Sequence, residues 1–205
     1  MRGTEEFWAG SFGDDYTDRN TSQKYVASNE VLFRRILGER TAISSVLELG
    51  ANRGHNLEAL RRIYPNLQCQ AVEINERAAA ECARVIGSNN VVVSPIRTAR
   101  SSLRPAELVL LKGVLIHIQP EDLAQVYELA ASFASRWLLI CEYYNPTPVE
   151  VPYRGHEGRL FKRDFAGEIL DRFPTVKLAD YGFAYHRDAI APQDDLTWFL
   201  METSE

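Results

Sequence analysis

The sequence predicts an α/β fold: a mostly parallel sheet, covered by helices on both faces and closed by an antiparallel pair. Two observations carry this. Short, almost continuously apolar runs alternate with amphipathic stretches five times between residues 45 and 144, the pattern of parallel strands buried on both faces. The last two runs, "TVKLADYGFAYH" (175–186) and "LTWFLMET" (196–203), are joined by "RDAIAPQDD". That polar link is too short for a helical crossover, so the pair runs antiparallel.

Residues 1–20 are aromatic, acidic and punctuated by glycine, and read as a loop or loose cap. In "TSQKYVASNEVLFRRILG" (21–38), Tyr25, Val26, Val31, Leu32, Ile36 and Leu37 recur near helical spacing, and Gly38 suits a C-cap. "SVLELG" (45–50) is a strand and "NLEALRRIY" (56–64) a helix. "QCQAVEI" (68–74) is a strand followed by the alanine-rich helix "ERAAAECARVIG" (76–87). "NVVVS" (90–94) is a strand, and "AELVLLKGVLIHI" (106–118) begins as one and ends in a loop. "PEDLAQVYELAASFA" (120–134) is a helix with proline in its first turn. "RWLLICEYY" (136–144) is a strand and "KRDFAGEILDRF" (162–173) a helix. No repeat or Pro/Gly/Ser-rich linker divides the chain, so residues 1–205 are expected to form one domain, with 1–40 as N-terminal lid or cap helices.

With 205 residues, 45% hydrophobic and 25% charged, the composition is that of an ordinary globular protein. A net charge of −5 argues against a broad footprint for nucleic acid or an anionic membrane. The three cysteines, Cys69, Cys82 and Cys141, have no CxxC spacing and read as buried free thiols, as in a reducing cytoplasm. No apolar run approaches the ~20 residues of a membrane span, and the start has no signal-peptide core. The four histidines are scattered without metal-ligand spacing.

"ELGANRG" (48–54) carries the chemistry. No Lys-Ser or Lys-Thr follows Gly54, so it is not a Walker loop, and the central glycine of a dinucleotide fingerprint is replaced by Asn52. What remains is E-x-G-x-x-x-G, with Glu48 two residues before Gly50. A carboxylate there suits a cationic ligand and repels pyrophosphate, and Asn52 tolerates the left-handed turn better than most residues. Glu73 ends the next strand 23 residues after Gly50, close to the ~20 expected of an acid that binds ribose hydroxyls. Ile74 beside it suits a purine face. Together these features fit S-adenosylmethionine.

This combination of sheet, turn and antiparallel end resembles the class I S-adenosylmethionine-dependent methyltransferases. More narrowly, "FWAGSFGDDYTDRN" (7–20) and "EYYNPTPVEVPYRGHEGRLFKRDFAGEIL" (142–170) resemble the pseudaminic acid biosynthesis-associated methylases. The resemblance implies a three-layer, Rossmann-like fold with a seven-stranded sheet. It also implies methyl transfer from S-adenosylmethionine to a small-molecule acceptor, a hydroxyl or amine on a sugar or nonulosonic-acid-related metabolite, with S-adenosylhomocysteine as product. Two departures are Asn52 in the turn and "SPIRT" (94–98), where an acid near the adenine is frequent.

Expected cofactor residues are Glu48, Gly50, Asn52, Gly54, Asn56, Glu73, Ile74, Ile96, Lys112, Gly113 and Arg19, with Asn20 beside it. Ligands of open α/β sheets bind beyond the carboxyl ends of the strands. Three segments converge there. "LKGVLIHIQP" (111–120) would line the transfer site, by resemblance, through Lys112, Gly113, Val114 and His117. The long proline- and aromatic-rich segment after residue 142 has the length of a functional loop. The N-terminal segment would fold over the cofactor as a lid, and Trp8, Phe12 and Tyr16, four residues apart, equally suit a packing face. His117 or His156 is the expected base, with Tyr143 as a further catalytic candidate. Trp8, Tyr16, Tyr144, Asn145 and Arg154 are expected to meet the acceptor. Arg154, Arg159, Lys162 and Arg163 form either a solvated face or a cradle for an anionic acceptor. Two alternatives stay open: use of the cofactor's aminocarboxypropyl chain, and a non-catalytic cofactor-binding partner. A homodimer is an assembly open to such an enzyme.

Overall fold

A computed structural model describes residues 3–19, 23–38 and 42–203. Seven strands form one sheet in the order β3-β2-β1-β4-β5-β9-β8. β1 (Ser45–Leu49), β2 (Gln68–Glu73), β3 (Val91–Val93), β4 (Ala106–Lys112) and β5 (Ala134–Glu142) run parallel. β9 (Leu196–Thr203) inserts antiparallel between β5 and β8 (Val176–Ala184). Side chains alternate across the sheet. Val46, Ala71, Leu108, Leu110 and Leu139 pack on one face with α3 (Gln23–Leu37), α4 (His55–Ile63) and α5 (Glu76–Ile86). Leu47, Val72, Val109, Leu111 and Ile140 pack on the other with α6 (Leu123–Phe133) and α7 (Phe165–Arg172). Asn75 caps α5 by accepting from Ala78 N at 2.9 Å, and Asp164 caps α7 by accepting from Gly167 N at 2.8 Å.

The structure differs from the sequence reading in three main respects. Residues 3–19 are not a loose cap but two helices, α1 (Gly3–Ala9) and α2 (Ser11–Arg19), separated at Gly10. Helices this short are marginal alone, and tertiary contacts hold these. Second, α6 and α7 each begin three residues later than expected. Third, Lys162 leaves the expected helix, and β7 (Phe161–Lys162) pairs antiparallel with β6 (Val149–Glu150) in a small separate sheet. Gln119–Asp122 forms turns ahead of α6, with Asp122 N donating to Gln119 O at 2.9 Å.

Candidate active site

The glycine turn leaves β1 under three constraints. Gly50 N and Ala51 N both donate to Val72 O, at 2.8 and 3.1 Å. Gly50 has φ 82°, and a Cβ there would lie 2.5 Å from Val114 Cγ2, so only glycine fits. Asn52 takes the left-handed conformation at φ 46°, as its residue type allows. Its N–H donates to Glu73 Oε2 at 2.7 Å, while Asn75 N donates to Glu73 Oε1 at 2.9 Å. Burial raises the Glu73 carboxyl, and these backbone donors oppose the rise.

A cavity opens at the carboxyl ends of β1, β2 and β4. Its floor includes Gly50, Asn52, Glu73, Ile74, Ile96, Lys112 and Gly113, and its roof includes Thr4, Glu5, Trp8 and Tyr16 from α1 and α2. The lining also holds residues that sequence reasoning did not single out, among them Thr4, Glu5, Arg97 and Asp122, while Gln119 belongs to the 111–120 segment expected there. The helical roof is held at several points. Arg97 makes a two-pronged ion pair with Glu5, Thr4 Oγ1 accepts from Gln119 Nε2 and Arg159 Nη1, and Asn75 Nδ2 donates to Trp8 O and Asp14 Oδ1. Two buried polar atoms on the cavity wall, Trp8 Nε1 and Asn52 Oδ1, have no protein partner.

His117 also lines the cavity, in a 3₁₀ turn after β4 (Leu115–His117). Its Nδ1 lies 2.6 Å from Arg159 O. A carbonyl only accepts, so Nδ1 carries the proton and Nε2 is left as the ring's acceptor. Burial depresses the imidazole to about 4, against the opposing Arg159 bond, so the ring is neutral at pH 7. Glu142, 2% exposed, aligns this turn by accepting from Val114 N and Leu115 N, both at 2.9 Å.

The remaining expected residues lie elsewhere. Glu48, Gly54 and Asn56 stand behind the cavity wall: Asn56 Nδ2 donates to Glu48 Oε1 at 2.6 Å, and Gly54 packs against Cys82. Arg19 is exposed, its guanidinium 5.8 Å from the Phe12 ring, outside the lining; Asn20 lies outside the described residues. His156 is an exposed residue packed on Phe7 and Phe12, with centroids 5.0 and 5.7 Å away, and does not reach the cavity lining. The rings of Trp8, Phe12, Tyr16, His117 and Tyr153 extend that cluster. Thus the four-residue aromatic spacing yields both packing and cavity contacts. Tyr143 is half-buried under Lys162 and raised to about 12 by burial, whereas Tyr144 is exposed beside Phe199. Asn145 turns back on Thr147. The basic cluster is not a bare anion cradle. Arg163 pairs with Glu168 at 2.6 Å, Arg159 binds Thr4, and Arg154 and Lys162 lie over tyrosine rings.

No family model and no curated protein matches the chain in sequence. Solved structures do match in fold. Magnesium protoporphyrin IX methyltransferase from Synechocystis PCC 6803, with bound S-adenosylmethionine, aligns at TM-score 0.64 and 15% identity over 100% of this chain and 99% of its own. The 1,6-didemethyltoxoflavin-N1-methyltransferase of Burkholderia thailandensis, with bound 1,6-didemethyltoxoflavin and S-adenosylhomocysteine, aligns at 0.68 and 14% over 98% and 87%. The N-methyltransferase NodS of Bradyrhizobium japonicum WM9 aligns at 0.62 and 14% over 94% and 99%. Across nearly its whole length, the chain shares the fold of these methyltransferases.

Proposed function

We propose that the protein is an S-adenosylmethionine-dependent methyltransferase acting on a small-molecule acceptor. One observation carries this: the Glu73 carboxylate, pinned by two backbone N–H groups, ends β2 beside the left-handed Asn52 turn in a roofed cavity. In this reading Glu73 binds the ribose hydroxyls with its remaining lone pairs. Ile74 and Ile96 cover the purine, while Gly50, Asn52, Lys112 and Gly113 meet the amino-acid arm. Asn52 Oδ1 and Trp8 Nε1 suit a ligand that offers both donors and acceptors. The bound cofactor supplies the activated methyl group. Tyr16 and Trp8 close over it, and His117 Nε2 takes the acceptor's proton. The fold supports the same reading, since its structural neighbours hold S-adenosylmethionine or S-adenosylhomocysteine.

The acceptor is a hydroxyl or amine on a sugar-related or nonulosonic-acid-related metabolite, a reading that rests on the two long motifs of the resemblance. We take the chain as one catalytic domain, with residues 1–40 as its cap, working in the cytoplasm without nucleic acid. Among the described residues no helix is long and apolar enough to cross a membrane. Calorimetry with S-adenosylmethionine and S-adenosylhomocysteine, on wild type and Glu73→Ala, tests the site. Micromolar binding that collapses in the variant supports it, and no binding to wild type overturns it. Product mass spectrometry with candidate acceptors then distinguishes methyl transfer, which leaves S-adenosylhomocysteine, from transfer of the aminocarboxypropyl chain, which leaves methylthioadenosine.

A further inference from the structure

Asn75 stands two residues beyond Glu73 and is 3% exposed, and all of its hydrogen-bonding groups are engaged. Its N–H donates to Glu73 Oε1 at 2.9 Å. Its carbonyl accepts from Ala79 N and its Oδ1 from Ala78 N, both at 2.9 Å, which starts α5. Its Nδ2 donates away from α5, to Trp8 O of α1 at 3.3 Å and to Asp14 Oδ1 of α2 at 2.9 Å. The amide has one orientation. Turned over, its oxygen would face the Trp8 carbonyl and the Asp14 carboxylate, and its NH₂ would face the Ala78 N–H.

The roof is shaped to meet that amide. Trp8 O lies in the last turn of α1, where a helix leaves its carbonyls without donors of its own. α2 approaches at Gly13, where a Cβ would collide with Trp8 O and lie 2.8 Å from Asn75 Nδ2. A side chain there would part the roof helices from Asn75. Asp14 and Tyr16 are about half a turn apart on α2, so holding the first sets where the second stands. Arg97, Gln119 and Arg159 hold α1, and Arg53 and Arg77 hold α2, whereas Asn75 holds both. No residue of α1 or α2 belongs to either buried apolar core, so the roof can open without breaking core packing.

We infer that Asn75 is a positioning residue that seats Trp8 and Tyr16 over the cavity while it fixes Glu73 in the floor, so that one side chain couples closure of the roof to the setting of the floor carboxylate. The group enclosed between them is the nucleoside of the cofactor, which rests on the cofactor reading above. The coupling is reciprocal: a ligand held at Glu73 favours the closed roof by the factor that closure favours the ligand.

Hydrogen exchange of the ligand-free full chain tests the clasp, in wild type, Asn75→Ser and Asp14→Ala. Serine still caps α5 and keeps the N–H toward Glu73, but it has no amide donor for the roof. Amides of α1 and α2 should exchange about tenfold faster in Asn75→Ser, while those of α5 stay within about threefold. Asp14→Ala leaves the α5 cap untouched and should show a smaller acceleration confined to the roof. Asn75→Asp alone should loosen the roof, and adding Asp14→Asn, which exchanges donor and acceptor, should recover part of the protection. Saturating S-adenosylhomocysteine should slow roof exchange in wild type and slow it less in Asn75→Ser, whose affinity falls about tenfold by the same linkage. Unchanged roof exchange in both Asn75→Ser and Asp14→Ala overturns the inference. Equal acceleration across α5 and the roof, with no recovery in the exchanged pair, marks a cap alone and also overturns it. Faster roof exchange with unchanged affinity overturns the coupling. Failure of S-adenosylhomocysteine to bind wild type overturns the cofactor reading, and roof exchange that still quickens in the ligand-free variants then supports the clasp by itself.

Discussion

Glu5 and Arg97 meet across 92 residues of sequence: Arg97 Nε donates to Glu5 Oε1 at 2.7 Å, and Arg97 Nη2 donates to Glu5 Oε2 at 3.0 Å. Both side chains are largely shielded, at 15% and 22% exposure, and both line the cavity. The segment after β3, "SPIRT", has no acid of its own. Through this pair, α1 brings one to that corner of the site and fastens the roof to the sheet.

Glu5→Gln therefore loosens the roof. A partly buried, two-pronged pair is worth roughly 1 kcal/mol, so dissociation of S-adenosylhomocysteine should quicken about fivefold. Stopped-flow fluorescence reads the rate, and Trp8 in the roof is a natural reporter. A dissociation rate equal to wild type would mean that the roof does not govern release.

Of the two histidines proposed as base, His117 alone lines the cavity, with Nδ1 tied to Arg159 O. His117→Gln should lower kcat by about 10²-fold or more and leave S-adenosylhomocysteine affinity within about threefold. The depressed imidazole is neutral above about pH 4, so its protonation does not limit activity between pH 5 and 8. ¹⁵N spectra of the ring should report an Nδ1–H tautomer throughout that range. An undiminished kcat in the variant would remove the role.

Glu142 governs stability at the alkaline side. Burial pushes its carboxyl from 4.5 up to about 7, against the bonds from Leu115 N and Val114 N. The folded state therefore holds the proton more tightly than the unfolded chain. The linked stability is full below pH 4.5 and is lost as pH rises through 7. Glu142→Gln keeps an acceptor for Val114 N and Leu115 N but carries no charge. Its stability relative to wild type should rise between pH 5 and 9, by something on the order of 2 kcal/mol. Urea unfolding at the two pH values measures this, and a constant difference would refute it.

The sheet was legible because its parallel strands are almost continuously apolar, and Leu196–Thr203 falls where the pattern put it; their order is set by crossovers that the βα alternation leaves open. Strand ends then placed Gly50, Asn52, Glu73, Lys112 and Gly113 around one cavity. The N-terminal segment was legible as a lid carrying Trp8 and Tyr16, but the bounds and anchors of its first two helices were not. Its helices, of 7 and 9 residues, lack a long amphipathic period, and they persist through contacts to Asn75, Arg97 and Gln119 that no local window contains. Loop direction is equally non-local. Arg154 and His156 stand in a polar segment that looked ligand-facing, yet the first lies over Tyr153 and the second packs on α1 and α2. A signal for Glu5 did exist, in an acid near an aromatic run in a chain whose "SPIRT" segment carries Arg97 and no acid.

The Gly50–Gly54 turn offers the sharpest contrast between two nearby positions. At Gly50 an added methyl would meet Val114 Cγ2 at 2.5 Å and hold alanine at φ 82°. Strain of that kind costs about 1–3 kcal/mol, and relieving it means moving Val114, which borders both the cavity and the His117 turn. Gly50→Ala should therefore lower the unfolding free energy by about 2 kcal/mol and weaken S-adenosylhomocysteine by more than tenfold. At Asn52 the left-handed backbone suits glycine better than asparagine, and the N–H that binds Glu73 is retained on substitution. Asn52→Gly should keep its stability within about 1 kcal/mol and lose no more than about tenfold in affinity, through Oδ1 alone. Denaturant melts and calorimetry on the pair decide the matter: if Asn52→Gly proves the more damaging, the side chain rather than the shape of the turn holds the ligand.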